Sequence, residues 1–141
     1  MNAAKLFAVA AGAGYLLLGV VGFAVTGFEG VVSDGPDGLI GFDLNPFHNV
    51  FHMVVGIGFL VASRLDETLT QGVVIGGGLV YILATLLGFL NELQILSIDD
   101  SIAPISFLHL VSGSAAVIFG LIGARQTDAH FSRSTSRSAR A

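Results

Sequence analysis

The sequence predicts an all-α integral membrane protein: a bundle of four transmembrane helices built as two parallel hairpin repeats. Three observations predict it. Hydrophobic residues make up 53% of the chain and charged residues only 11%, where a water-soluble domain carries about a quarter charged residues. Four apolar segments approach the ~20 residues that span a ~30 Å hydrocarbon core at ~1.5 Å rise per residue. Every basic residue then falls on one side of those segments.

The first segment runs from about Lys5 to Gly27 and holds no charge after Lys5. Its apolar stretch exceeds the ~7–15 residues of a signal-peptide core and has a single basic residue before it, so it reads as a retained span. The second runs from Pro46 to about Ser63. It is the shortest, but its start is well marked: Asn45 suits an N-cap, and Pro46 suits the first helical position, where its missing N–H costs nothing. The third runs from about Gln71 to Asn91, apolar as far as Leu90. The fourth runs from about Pro104 to Ala124. Residues 1–125 thus form one transmembrane domain. Residues 126–141, rich in Ser, Thr and Arg, are expected to be a disordered basic tail that sets topology or meets anionic headgroups.

Lys5, Arg64, Arg125, Arg133, Arg137 and Arg140 all lie on one side. The other side carries Glu29, Asp34, Asp37, Asp43, Asp99 and Asp100, with Glu92 near the boundary. The positive-inside rule places both termini in the cytoplasm of a cell whose inner membrane holds the chain. A net charge of −4 argues against a nucleic-acid partner. With no cysteine, disulfides, thiolate metal sites and Cys nucleophiles are excluded. Trp is also absent, which leaves interfacial anchoring to Tyr and Phe.

The chain repeats itself. Tyr15-Leu16-Leu17-Leu18-Gly19-Val20-Val21-Gly22-Phe23 in span one parallels Tyr81-Ile82-Leu83-Ala84-Thr85-Leu86-Leu87-Gly88-Phe89 in span three. Phe51-His52-Met53-Val54-Val55-Gly56 in span two parallels Leu108-His109-Leu110-Val111-Ser112-Gly113 in span four, and residues 39–43 resemble 95–99. Tyr and His are rare here, with two and four copies, so their recurrence in order reads as a duplicated hairpin with a pseudo-two-fold axis along the membrane normal. Gly19, Gly22, Gly76, Gly77, Gly78, Gly120 and Ala124 are expected to let helices approach closely. The run 76–78 lies inside a span with no following Lys and is no phosphate loop.

Polar residues inside a span are costly and need a reason. His48 and His52 are four apart and share one face of span two. His52 lies roughly 9 Å along its helix from Pro46, and His109 roughly 7–8 Å along its helix from Pro104. The two are therefore at comparable depth in the outer leaflet. Ser106, His109, Ser112 and Gly113 share one face of span four; Asn49 lies beside His48, and Asn91 and Glu92 close span three at the same end.

Three readings of this cluster stay open. The polar groups can be interhelical hydrogen-bonding glue. His48, His52, His109 and Glu92 can form a His₃-carboxylate site for a divalent metal. Or His52 and His109 can hold a haem, one imidazole per hairpin, with Gly56 and Gly113 leaving room for the macrocycle. Asp34-Gly-Pro-Asp37-Gly has too few oxygen ligands for calcium and reads as a turn. No catalytic constellation is identifiable; Ser106 and His109 are neighbours without an oxyanion hole. His130 lies in the tail and draws no functional reading.

The stretch Phe42-Asp43-Leu44-Asn45-Pro46-Phe47-His48-Asn49-Val50-Phe51-His52 resembles the signature of a family of small bacterial four-span proteins classed as a domain of unknown function. Its pattern is Asn-Pro-x-His-Asn-x-x-His followed by an apolar run with glycine. The resemblance implies the membrane fold and no activity.

The leading expectation is a non-enzymatic membrane component, a structural or accessory subunit of a larger membrane complex or a homo-oligomer. A histidine-ligated haem or metal protein is the alternative. A small transporter is third, since beyond Tyr15, Tyr81 and Thr85 the inner halves of the spans offer no polar path.

Overall fold

The computed structural model describes residues 1–28, 30–31, 44–90, 92 and 104–138, and every regular element among them is helical. Among the described residues there are four helices: α1 (Ala3–Thr26), α2 (Pro46–Ala62), α3 (Glu67–Phe89) and α4 (Pro104–Ser138). Three are long and apolar enough to cross a membrane, and the fourth, α2, is a shorter apolar helix of 17 residues.

Short polar side chains fix the starts. The Asn2 side chain accepts from Lys5 N at 3.0 Å. Asn45 Oδ1 accepts from His48 N at 2.7 Å with Pro46 at the first turn, as expected from the sequence. Asp66 Oδ1 accepts from Leu69 N at 2.9 Å and, with Glu67 behind it, places negative charge at a positive helix end. Gly27 ends α1 with φ +64°, a backbone conformation that disfavours a Cβ, and its N–H bonds Phe23 O at 3.0 Å.

The bundle is apolar outside and mixed inside, the arrangement lipid selects. Leu17, Val54, Leu83 and Val111 are each more than half exposed, and in water such a surface would drive association. Tyr15, Phe59, Val74 and Tyr81 form the core with small residues Ala8 and Ala116. Together with the helix lengths, this makes the chain a membrane protein.

α1 packs most extensively on α2 and α3 on α4; α2 and α3 touch little, and among the described residues the backbones of α2 and α4 do not meet. Each tight pair meets at glycine. A Cβ on Gly56 would lie 2.8 Å from Gly12 O, and one on Gly113 would lie 2.8 Å from Gly78 O. Backbones that close leave no room for side chains, which is how helices gain contact without a hydrophobic force between them. Gly19 and Gly22 serve the same role against Asn49 and Met53 of α2, Gly77 against the Phe59 ring, and Gly120 against Ile75. Gly76 does not: nothing lies within 4 Å of a Cβ there.

α4 departs from the sequence reading. The helix continues to Ser138, through the segment expected to be disordered. Past Gly123 the described segment has no glycine or proline to stop it, and Thr127 ties it to the bundle. Thr127 Oγ1 accepts from Gln71 Nε2 at 2.8 Å and lies 2.7 Å from Glu67 Oε2. Ala3 N donates to Gln126 Oε1 at 2.9 Å, so the start of α1 and the extension of α4 share one end of the bundle.

Candidate metal centre

Asn45 and Pro46 start α2 so that its first two turns present His48 and His52 on the inner face, with ring centroids 4.4 Å apart. α4 brings His109 to them, at 5.9 Å from His48 and 6.3 Å from His52. All three are at least 96% buried. One ring nitrogen from each can be chosen so that all lie within 4.8 Å of one another.

The other two helices supply walls. Tyr15 of α1 stacks on His52 at 5.6 Å, and Tyr81 of α3 meets His109 edge-on at 5.0 Å. The sequence reading takes both tyrosines as markers of the repeat and as polar residues of the inner halves of the spans, not as part of the site. Their place inside spans, where polar groups need a reason, was the signal that could have put them at the site.

The hydrogen bonding at the cluster is incomplete. Both nitrogens of His52 and Nδ1 of His109 are buried without a hydrogen-bond partner. A neutral imidazole offers one donor and one acceptor, and each buried group left unmet costs about 1–3 kcal/mol. The glue reading asks each of these rings to bond across helices, and His52 bonds nothing. Three buried imidazoles with one nitrogen each within 4.8 Å of the others suit a divalent transition metal, which takes imidazole nitrogen at ~2.0–2.1 Å. A tetrahedral set at that bond length puts nitrogens ~3.3 Å apart, at most about 1.5 Å closer than they lie here. The three ligands would leave a fourth position for another donor.

The remaining sequence candidates sit elsewhere. Glu92 is exposed past the end of α3, its backbone N–H on Leu87 O at 3.0 Å, and it does not join the three-histidine group. Past Phe89 the chain leaves the helix, which carries this carboxylate away from the bundle interior. Asn49 is buried but turned to α1, where its Nδ2 donates to Thr26 Oγ1 at 2.8 Å. Ser106 is buried, and its carbonyl lies 3.2 Å from Thr85 Oγ1. Ser112 Oγ bonds back to Leu108 O at 2.7 Å, within its own helix. Gly56 and Gly113, which the haem reading used as room for a macrocycle, are filled instead by the backbones of α1 and α3. His130 is exposed. Asn91, the 34–38 turn, Asp99, Asp100 and the 39–43 and 95–99 repeat segments lie outside the described residues.

Fold and cluster together define a small four-helix membrane protein with a buried group of three histidines. Residues 5–122 match the family model described as a domain of unknown function, DUF4383, and the chain belongs to that family. A search of curated proteins and of solved structures finds no match.

Proposed function

We propose that this chain is a transition-metal-binding protein of the bacterial inner membrane, with His48, His52 and His109 as ligands. The observation that carries this is the convergence of three buried imidazoles, from two helices distant in sequence, within 4.8 Å of one another. A divalent ion would replace unmet hydrogen-bonding capacity with coordination, which needs the neutral imidazole. Zinc, copper, nickel, cobalt and iron all accept such nitrogen ligands. Such a site can serve an accessory subunit of a larger membrane complex as well as a free-standing protein.

The duplication supports the placement of the ligands. Tyr15 and Tyr81, His52 and His109, and the glycine pairs Gly12–Gly56 and Gly78–Gly113 hold corresponding places in the two hairpins. His48 is the addition that makes three ligands from two, for its counterpart in α4 is Ile105. The one-sided basic residues place both termini in the cytoplasm, and the histidine end in the outer leaflet.

The test is metal analysis with an absorbance spectrum on protein purified in mild detergent after expression with metals and haem supplied. One metal per chain, lost in a His52→Ala/His109→Ala double variant, is the expected result. Metal-free protein, or metal that survives the double variant, overturns the reading. A Soret band lost in that variant would assign haem instead.

A further inference from the structure

Three imidazoles are neutral as ligands, and no carboxylate among the described residues joins the group. A divalent ion there keeps both positive charges among apolar side chains, which is unfavourable without a counter-charge. The structure shows where one can enter. Between α2 and α3, the adjacent helices with least contact, runs a cleft of about 250 Å³. His48, His109 and Tyr81 lie on its lining; His52 does not. The rest is apolar, including Phe51, Ala84 and Leu87. At its mouth Val80 and Leu83 are more than half exposed on the face that lipid covers. A fourth ligand to an ion held there would come along this apolar passage from within the bilayer, toward a centre short of negative charge.

We infer, resting on the metal reading above, that this cleft admits a single-chain amphiphile whose carboxylate head occupies the fourth position on the metal held by His48, His52 and His109. The head supplies the missing charge and an oxygen ligand of the kind such metals accept. The chain lies along Ala84 and Leu87 and out past Val80. A water-soluble anion of the same head chemistry lacks the apolar body that the passage favours.

The experiment uses the full chain in phosphatidylcholine nanodiscs, loaded with Co²⁺, whose visible bands report its ligands. The probes are decanoate, decanol and acetate. Decanoate is expected to shift the bands, decanol to leave them unchanged, and acetate to require at least about 100-fold higher concentration, since each buried methylene favours the longer chain. Ala84→Trp, which fills the cleft without touching a histidine, is expected to keep the cobalt bands and lose the decanoate response. Should that variant fail to hold cobalt, Val80→Trp at the mouth is read in its place. Acetate acting as well as decanoate, or a blocked variant that still responds to decanoate, overturns the inference and leaves the metal centre standing. Absence of cobalt bands in the unmodified protein overturns the metal centre and this inference together.

Discussion

Tyr15 and Tyr81 meet at the centre of the bundle with ring centroids 5.0 Å apart, and each leans on a different histidine. The pair joins α1 to α3 beside two of the imidazoles. Groups that orient metal ligands typically govern affinity by about 10–100-fold. Tyr81→Ala is expected to weaken metal binding by about that factor and to destabilise the fold by about 3–5 kcal/mol, as for other large aromatic truncations. Tyr81→Phe keeps the ring and is expected to stay within about tenfold of the parent. Competition against a chromophoric chelator measures both. Equal losses in the two variants would show that the hydroxyl, not the ring, positions His109.

His52 distinguishes a site from a helix–helix contact. Its two nitrogens are buried without partners, so His52→Leu removes a cost rather than a bond. The metal-free variant is expected to resist unfolding in SDS by about 1–3 kcal/mol more than the parent. Metal at 100 times its Kd is expected to stabilise the parent by about 2.7 kcal/mol and the variant not at all. Glu92→Gln, at an exposed position, keeps the parent's metal response. A less stable His52→Leu would mean that the ring serves as interhelical glue after all.

Much of this architecture is legible in the residues, because lipid imposes few solutions. Segment length and hydropathy locate the helices, Asn45-Pro46 marks the start of α2, and the 48/52 spacing puts two imidazoles on one face whatever surrounds them. The similar depth of His109 follows from counting residues past Pro104. What escapes is choice of neighbour. Gly56 and Gly113 announce a close approach, but the sequence does not say whether a cofactor or a helix makes it, and α1 and α3 do. Residue counting puts Glu92 near the histidines in depth, yet it lies outside their group, because depth is a single coordinate and coordination needs three. The extension of α4 escapes for a different reason. Its polar composition resembles a disordered tail, and the Thr127 contacts with Gln71 and Glu67 come from one helix, α3, 56 and 60 residues away in sequence.

The glycine contacts give a stability prediction with an internal control. Gly56→Ala and Gly113→Ala put a methyl group against backbone atoms of the facing helix, and overpacking of this kind costs about 1–3 kcal/mol. Gly14 has nothing within 4 Å of a Cβ, so Gly14→Ala is expected to be neutral or to gain up to about 1 kcal/mol from helix propensity. Far-UV circular dichroism during SDS titration compares the three. Equal behaviour of Gly14→Ala and Gly56→Ala would remove the glycine pairs as the basis of hairpin packing.

Orientation decides which compartment would supply a metal to the proposed site. The start of α1 and residue 126 are joined by the Ala3–Gln126 hydrogen bond and share one end. Phe28 follows α1 at the other end, where Phe47 N donates to Val31 O at 3.0 Å beside the start of α2 and its histidines. The chain has no cysteine, so single-cysteine reporters are unambiguous. Phe28 is 79% exposed, and Leu65 and Ala129 are also exposed; replacing them leaves all six basic residues in place. With a membrane-impermeant maleimide on intact spheroplasts, Phe28→Cys is expected to react, while Leu65→Cys and Ala129→Cys react only after permeabilisation. That pattern follows from the positive-inside rule acting on a one-sided set of basic residues, and it gives the histidine end to the extracytoplasmic leaflet. The inverse pattern would turn the bundle over. The metal centre and the cleft between α2 and α3 would then face the cytoplasmic leaflet and draw on the cytoplasmic metal pool.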